Sequence, residues 1–434
     1  MALNGTRTYV GFGFGAIQAG LFLYEAYQSG AFQRLVVAEI MPEVVDHIRQ
    51  ADSHYALNIA RPDGVWSVTI GPIEIENPNS DADRDRLIDA VAEAHEIGTA
   101  VPSPKFYITD GPKSLHRILA EGLRRKAAQD GPRCVVYAAE NHHQAAQLLK
   151  EAVMEAIPSH EQDAVRSRVR FLDTVIGKMS GVITYEADIQ AQRLTPLTPN
   201  ESRAFLVEAF NRILITKVDF DAPQPFFQRG IAIFEEKEDL HPFEEAKLYG
   251  HNATHALAAY LGMLVGVDQI SELQSVPGAM SFLRSAFLEE SGQALIRKYG
   301  DRDPLFTPAG YRFYVDDLLQ RMTNPYLRDT VDRVGRDPQR KLDWNDRLIG
   351  TMRLALSQGI TPRRYALGSA AALIALDPTL LHQKSRAMDV LQSLWKISNP
   401  PERERTVLLS TIEESLDTLQ RHQISSFTTL FEQN

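Results

Sequence analysis

The chain has 434 residues, 44% hydrophobic and 24% charged, with a formal net charge of −10 at pH 7. That length suits two or three domains with substantial cores, and the acidic balance argues against nucleic acid or an anionic membrane as the main partner. A single cysteine, Cys134, excludes a disulfide framework and a cysteine-rich zinc site, and fits a reducing compartment. The longest apolar run, around "AAALIAL", is too short to span a bilayer. The opening "MALNGTRTYVGFGFG" lacks the basic start and long apolar core of a secretory signal, so a cytoplasmic protein is expected.

In chain order, short β-rich runs at "TYVGF", "RLVVAEI", "KFYIT", "RCVVYAAEN" and "RVRFLDTVI" alternate with helical patterns. The helical patterns are "AIQAGLFLYEAYQ", "DADRDRLIDAVAEAHE", "SLHRILAEGLRRKAA" and "AAQLLKEAVMEAI". This alternation predicts an α/β domain with a mostly parallel sheet. Polar, proline-containing stretches follow at "RLTPLTPNES" and "FDAPQPFFQ", and from about residue 241 nearly everything reads as helix. The expected domains are an α/β domain over 1–238 and a mostly α-helical domain over 239–434.

The first strand runs into "GFGFGAIQAGLF". Gly13 and Gly15 form a G-x-G turn, in which the first glycine permits the turn and the second lets backbone N–H groups approach a pyrophosphate. Gln18 stands where a third glycine is usual, and a simple glycine-rich turn is the competing reading. The second strand leads to Glu39, whose carboxylate could accept hydrogen bonds from a ribose and repel a 2′-phosphate, favouring NAD. The alternative is a solvated strand-end glutamate. The candidate cofactor set is Gly13, Phe14, Gly15, Ala16, Ile17, Glu39, Thr109 and Glu140. In "ENHH", Asn141 could cap the next helix or present its amide to a substrate oxygen. His142 and His143 diverge on a helix and have no acidic partner at useful spacing, so no metal site is expected.

The second cluster is "KLYGHNATHALAAYLG", preceded by "HPFEEAK". Pro242 and the acids Glu244 and Glu245 suit a helix start, predicting helix from about residue 243. With about 100° per residue, Asn252 lies about 140° and His255 about 80° around from Lys247, so the three share an arc. A snorkelling lysine beside a core histidine is the bland alternative.

With these residues the chain resembles the polyol-specific long-chain dehydrogenases/reductases, which include mannitol dehydrogenases, mannitol-1-phosphate 5-dehydrogenases and hexuronate reductases. The resemblance runs from "GFGFGAIQAG" to "GSAAALIAL" and is strongest at Lys-x4-Asn-x2-His. It implies a Rossmann-type NAD-binding domain over 1–238, a mostly α-helical substrate domain over 239–434, and metal-independent hydride transfer to NAD with Lys247 as general base. Asn252 and Asn141 would hold the developing alkoxide, and His255 would orient a neighbouring hydroxyl. A basic block, "DRVGRDPQRKLDWNDR", carries Arg333, Arg336, Arg340, Lys341 and Arg347, where a solvated basic face is the alternative. Where relatives acting on free sugars look like Arg-x2-His-x4-Lys, this chain has Arg333, Arg336 and Lys341, with Arg340 added. That wording is similar to the mannitol-1-phosphate branch, and guanidinium in place of imidazole suits a phosphate dianion. Gly177 and Lys178 depart from the family's Val-Asp-Arg run. The implied substrate is a small polyol or sugar phosphate, and the chain is expected to be a monomer or homodimer. Competing readings are a free hexitol or hexuronate oxidoreductase and a catalytically weakened dinucleotide-binding protein.

Overall fold

The computed structural model describes residues 6–220 and 227–421, so most of "FDAPQPFFQ" lies outside the described residues. The chain divides into two compact units between His241 and Pro242. Among the described residues no helix is long and apolar enough to cross a membrane.

Among its described residues the first unit contains twelve strands. They are β1 (Thr8–Phe12), β2 (Arg34–Ala38), β3 (Tyr55–Arg61), β4 (Gly64–Ile70), β5 (Glu74–Glu76) and β6 (Ala94–Thr99), followed by β7 (Cys134–Ala138), β8 (Val169–Val175), β9 (Ser180–Ile183), β10 (Ala204–Glu208), β11 (Leu214–Thr216) and β12 (Glu235–Lys237). Eight of them form one sheet in the order β12-β11-β8-β7-β6-β1-β2-β5. From β5 to β8 all neighbours are parallel, and β11 adds antiparallel to β8. Counted within this sheet, β5-β2-β1-β6-β7-β8 is the 3-2-1-4-5-6 order of a doubly wound nucleotide-binding fold, with its switch point between β1 and β6. Residues Val10 and Phe12, Val36 and Ala38, and Ile97 fill the core on one face of these strands.

One predicted strand is misplaced. "KFYIT" forms a short 3-10 turn over Pro104–Phe106 and then a bend, while the fourth strand of the doubly wound order is Ala94–Thr99. The end of the predicted helix "DADRDRLIDAVAEAHE" is therefore strand, and the helix stops at Glu93. The cause is a buried charge in a central strand. Glu96 is fully buried, pairs with Arg7 at 3.2 Å and accepts from the Tyr137 hydroxyl at 2.8 Å. That polar residue hides the strand's apolar pattern.

A second sheet, β4-β3-β10-β9, covers the segment just after the glycine turn. That segment, Gln18–Leu23, is a π-helical turn buried at every residue. A Cβ at Gly20 would lie 2.6 Å from Val207 of β10 and 3.2 Å from Leu57 of β3. From Ala19 onward the run reads as uniformly apolar because this small sheet packs on it.

In the second unit, the helix beginning at His241–Glu245 passes through a π-helical turn at Ala246–Asn252 and continues as an α-helix over Ala253–Val265. Gly266, at φ +76°, ends it in the left-handed region. Glycines permit close helix contacts along its buried length. A Cβ at Gly262 would meet Val331 at 2.8 Å, and one at Gly368 would meet Leu257 at 2.5 Å. Behind the basic block, Trp395 donates its indole N–H to the Leu342 carbonyl at 2.8 Å and packs edge-on against Trp344. The C-terminal helical pattern is the helix Glu402–Arg421.

Candidate active site

The nucleotide-type subsite grows from the end of β1. Gly13 adopts φ +83°, and a Cβ there would lie 2.8 Å from the Ala100 carbonyl oxygen, so both backbone shape and space demand glycine. A Cβ at Gly15 would meet nothing within 4 Å, which leaves an open face beside the first N–H groups of the helix. Phe14, between them, turns into the core and makes edge-on contacts with Tyr55 at 5.1 Å and Phe205 at 5.6 Å. Only its main chain is left for a nucleotide. Ala16 is buried and Ile17 half-buried behind the same turn.

Glu39 stands where the sequence placed it, just beyond β2, but it is not a loose solvated glutamate. It is 8% exposed, and its carboxylate accepts the Phe14 N–H at 3.2 Å and the Met41 N–H at 2.9 Å. It braces the glycine turn, and its remaining lone pairs can still accept from a diol.

Gln18 replaces the third glycine by an exchange across the strand. Its side-chain amide donates to the Tyr9 hydroxyl at 2.8 Å, and a Cβ on Gly11 would lie 2.1 Å from that same nitrogen. The missing glycine of the helix is thus offset by a glycine in β1. The turn keeps its geometry.

Two members of the cofactor set are placed differently from expectation. Glu140 is buried, and its carboxylate accepts from the Val101 N–H at 2.9 Å, the Thr99 hydroxyl at 3.0 Å and the Tyr107 hydroxyl. Burial raises its pKa, against the pull of these donors. It fastens the strand end instead of facing outward. Thr109 loses its strand-end position together with the misread strand; it lies exposed in irregular chain before the next helix, its N–H held by Ser114 Oγ at 2.9 Å. The residues just after the fourth strand at the switch point are Ala100 and Val101, which no sequence pattern distinguished. Asn141 is exposed and does not cap the next helix, whose N-cap is Gln144.

Gly177 has open space around its Cβ position. Lys178 is buried and donates to the carbonyls of Glu208 and Phe210 and to the Asn211 side chain. It tethers a loop.

The second subsite lies on the π turn. Bonding between residues five apart replaces the α-helical spacing, so Lys247 and Asn252 stand about one turn apart on the same side. The α-helical offset of about 140° is corrected accordingly. The apolar pattern continues smoothly through the turn, which is why the sequence hid it.

Burial lowers the Lys247 pKa to about 8, helped by the like charge of Arg347 and opposed by Glu244. Arg347 is held by Asp346, Nε to Oδ1 at 2.8 Å, with its side chain 15% exposed. The same guanidinium is among the groups lowering Lys341 to about 8, after burial, with Arg340 adding to the effect. One cation therefore links the lysine of the helix to the basic block. The sequence placed Arg347 in that block without giving it a site role.

His255 Nε2 lies 3.0 Å from Asp329 Oδ2, although neither atom has a well-aligned hydrogen-bond partner. Its ring stacks on His251, centroids 6.0 Å apart. His251 is buried and held well below the usual histidine range, first by desolvation and then by His255, Arg321, Lys247 and Arg347. Neutral His251 is thus another part of the subsite that sequence reading missed.

The basic block is divided among internal partners. Arg333 Nε binds Asp329 Oδ1 at 2.8 Å, and Arg340 Nε lies 3.2 Å from Asp337. Lys341 is buried and donates to the Arg336 carbonyl. The Arg336 side chain is exposed and makes no hydrogen bond or ion pair among the described residues. Among the described residues no group of three or more His, Cys, Asp or Glu side chains is arranged to hold a metal ion.

Two family models match this chain: a mannitol dehydrogenase Rossmann domain over residues 7–228 and a mannitol dehydrogenase C-terminal domain over residues 239–400. Among solved structures, it is similar to the Pseudomonas fluorescens mannitol 2-dehydrogenase ternary complex with NAD and D-mannitol. That match has 16% identity and a TM-score of 0.71, covering 99% of this chain and 95% of the other. A D-sorbitol dehydrogenase in substrate-free form matches with 14% identity and a TM-score of 0.76, covering 97% of this chain and 94% of the other.

Proposed function

The chain belongs to the mannitol dehydrogenase family, and from that premise we propose that it is an NAD-dependent oxidoreductase interconverting mannitol 1-phosphate and fructose 6-phosphate. The observation that carries the reading is Lys247, an amine brought to about pKa 8 on a π turn that also presents Asn252. About one such lysine in ten is neutral at pH 7, and that form can accept a hydroxyl proton.

The glycine turn fits a pyrophosphate through the open face at Gly15, and Glu39 offers acceptors for a ribose diol while repelling a 2′-phosphate. NAD, when bound, supplies the hydride acceptor. Lys247 Nζ takes the proton of the substrate hydroxyl. The Asn252 and Asn141 amides donate to the oxygen on which negative charge develops, and such donors contribute most when charge is forming. His255 holds an adjacent hydroxyl.

The phosphate preference rests on Arg336, whose guanidinium lacks an internal partner among the described residues. Arg333 and Arg340 are already paired with aspartates, so Arg336 is the main candidate. A substrate panel with NAD tests this. Mannitol 1-phosphate should exceed mannitol in kcat/KM, and Arg336→His should cut the phosphate activity about 10–100-fold, at about 1.4 kcal/mol per tenfold. A ratio near one, unmoved by the substitution, would instead establish the free-polyol reading.

A further inference from the structure

We propose that Asp329 is a positioning residue for His255, fixing which imidazole nitrogen is offered to the substrate and joining that ring to Arg333 through one carboxylate. The proposal deepens the polyol reading above and rests on it for the identity of the hydroxyl that His255 meets.

Three observations carry it. Asp329 is 4% exposed, so its charge needs compensation, and the two groups that supply it are His255 and Arg333. Burial alone would raise its pKa, yet contact with His255 and Arg333 outweighs this and holds it below the usual carboxylate range. The carboxylate therefore remains an acceptor. An ionised Asp329 beside Nε2 at 3.0 Å favours the Nε2–H tautomer, which leaves Nδ1 as the ring's acceptor for a substrate O–H.

The second observation is rigidity. The Asp329 carbonyl accepts the Ile270 N–H at 2.9 Å, and Val331 donates to the Asp268 carbonyl at 3.0 Å. Both bonds tie 329–331 to the turn just after the helix carrying His255. The aspartate is thus clamped at its backbone to the far end of that helix while its side chain reaches back to the ring.

The third is the division of labour within the carboxylate. Arg333 takes Oδ1, and His255 faces Oδ2. Movement of the Arg333 guanidinium must therefore be felt at the ring that orients a hydroxyl. The Nε2–H vector is poorly aligned in this structure, which is common for catalytic groups before substrate is bound.

The test combines two readouts on the full-length protein. Histidine-selective 15N NMR of the cofactor-free wild type at pH 9, with His255 assigned by its loss in His255→Gln, should show the Nε2–H tautomer. An Nδ1–H tautomer would overturn the proposal. Kinetically, Asp329→Ala should lower kcat/KM for the polyol about 10–100-fold, mostly through kcat, with NAD affinity unchanged. Asp329→Asn, which keeps an acceptor oxygen, should recover part of the loss. In a His255→Ala background, Asp329→Ala should cost less than about threefold, because the partner it positions is gone. Full multiplicative loss there would overturn the proposal. If Asp329→Ala fails to fold, the wild-type tautomer still decides. A wild type inactive on every polyol would sink the substrate reading while leaving the tautomer measurement as the test of Asp329.

Discussion

Around the glycine turn, the important contacts are made by main chain and by side chains locked in place. Gly13 is shaped by Ala100, Phe14 is buried between aromatic rings, and Glu39 spans two backbone N–H groups. Around Lys247 the important groups are ionisable ones whose charge is disfavoured: a lysine at about pKa 8 and a neutral buried His251, both acted on by Arg347. A nucleotide is gripped the same way throughout the reaction, so a stiff cradle serves it. A proton acceptor has to change charge, so its surroundings keep the two states close in energy.

The sharpest way to break this contrast is Lys247→Ala, which should lower kcat by about 10²–10⁴-fold and leave NADH binding nearly unchanged, read by fluorescence titration. In the wild type, polyol oxidation should fall about tenfold per pH unit below about pH 8, because only the neutral amine accepts a proton. Arg347→Met removes a like charge and therefore raises the lysine pKa, moving that limb to higher pH. An unmoved limb would show that Arg347 does not act on Lys247.

Next in size is Asn252→Ala, expected to cost about 2–4 kcal/mol of activation energy through kcat. Its loss should be non-additive with that of Asn141→Ala if both amides serve one oxygen. A raised KM with unchanged kcat would mark them as uniform binding contacts.

On the cradle side, Glu39→Ser should weaken NAD use by about 1.5–3 kcal/mol, as expected for hydrogen bonds to a charged group, and relax discrimination against NADP. A wild type that already prefers NADP by kcat/KM would remove Glu39 from this role. The smallest effect on turnover should come from Gly11→Ala, which meets the Gln18 amide and should cost about 1–3 kcal/mol of stability in denaturant melts. Adding Gln18→Ala should restore part of that loss. If it does not, the exchange of glycines across β1 is not the feature that preserves the turn.

These two regions were legible in the sequence to different degrees. The alternation of strands and helices, the glycine turn, Glu39 and the Lys-Asn-His spacing could all be read because each leaves a local mark. The strand Ala94–Thr99 could not, since Glu96 is compensated by Arg7, 89 positions away in the chain. Likewise, nothing local shows that Glu140 faces Tyr107, that Asp329 meets His255, or that Phe14 leaves the cofactor side. Those outcomes depend on partners brought together only by folding.

The π turn at Ala246–Asn252 also bears on how the Lys247 subsite tolerates a change of chain length. Such a turn holds one residue more than an α-helical one, and that surplus sets the phase between the helical segments on its two sides. Deleting Leu248 would let the segment relax to regular pitch without disturbing the buried residues from Ala253 onward. Lys247 and Asn252 would then stand four positions apart, about 40° round an α-helix, so the pair would still share one side. One residue can therefore leave the turn without parting these two side chains.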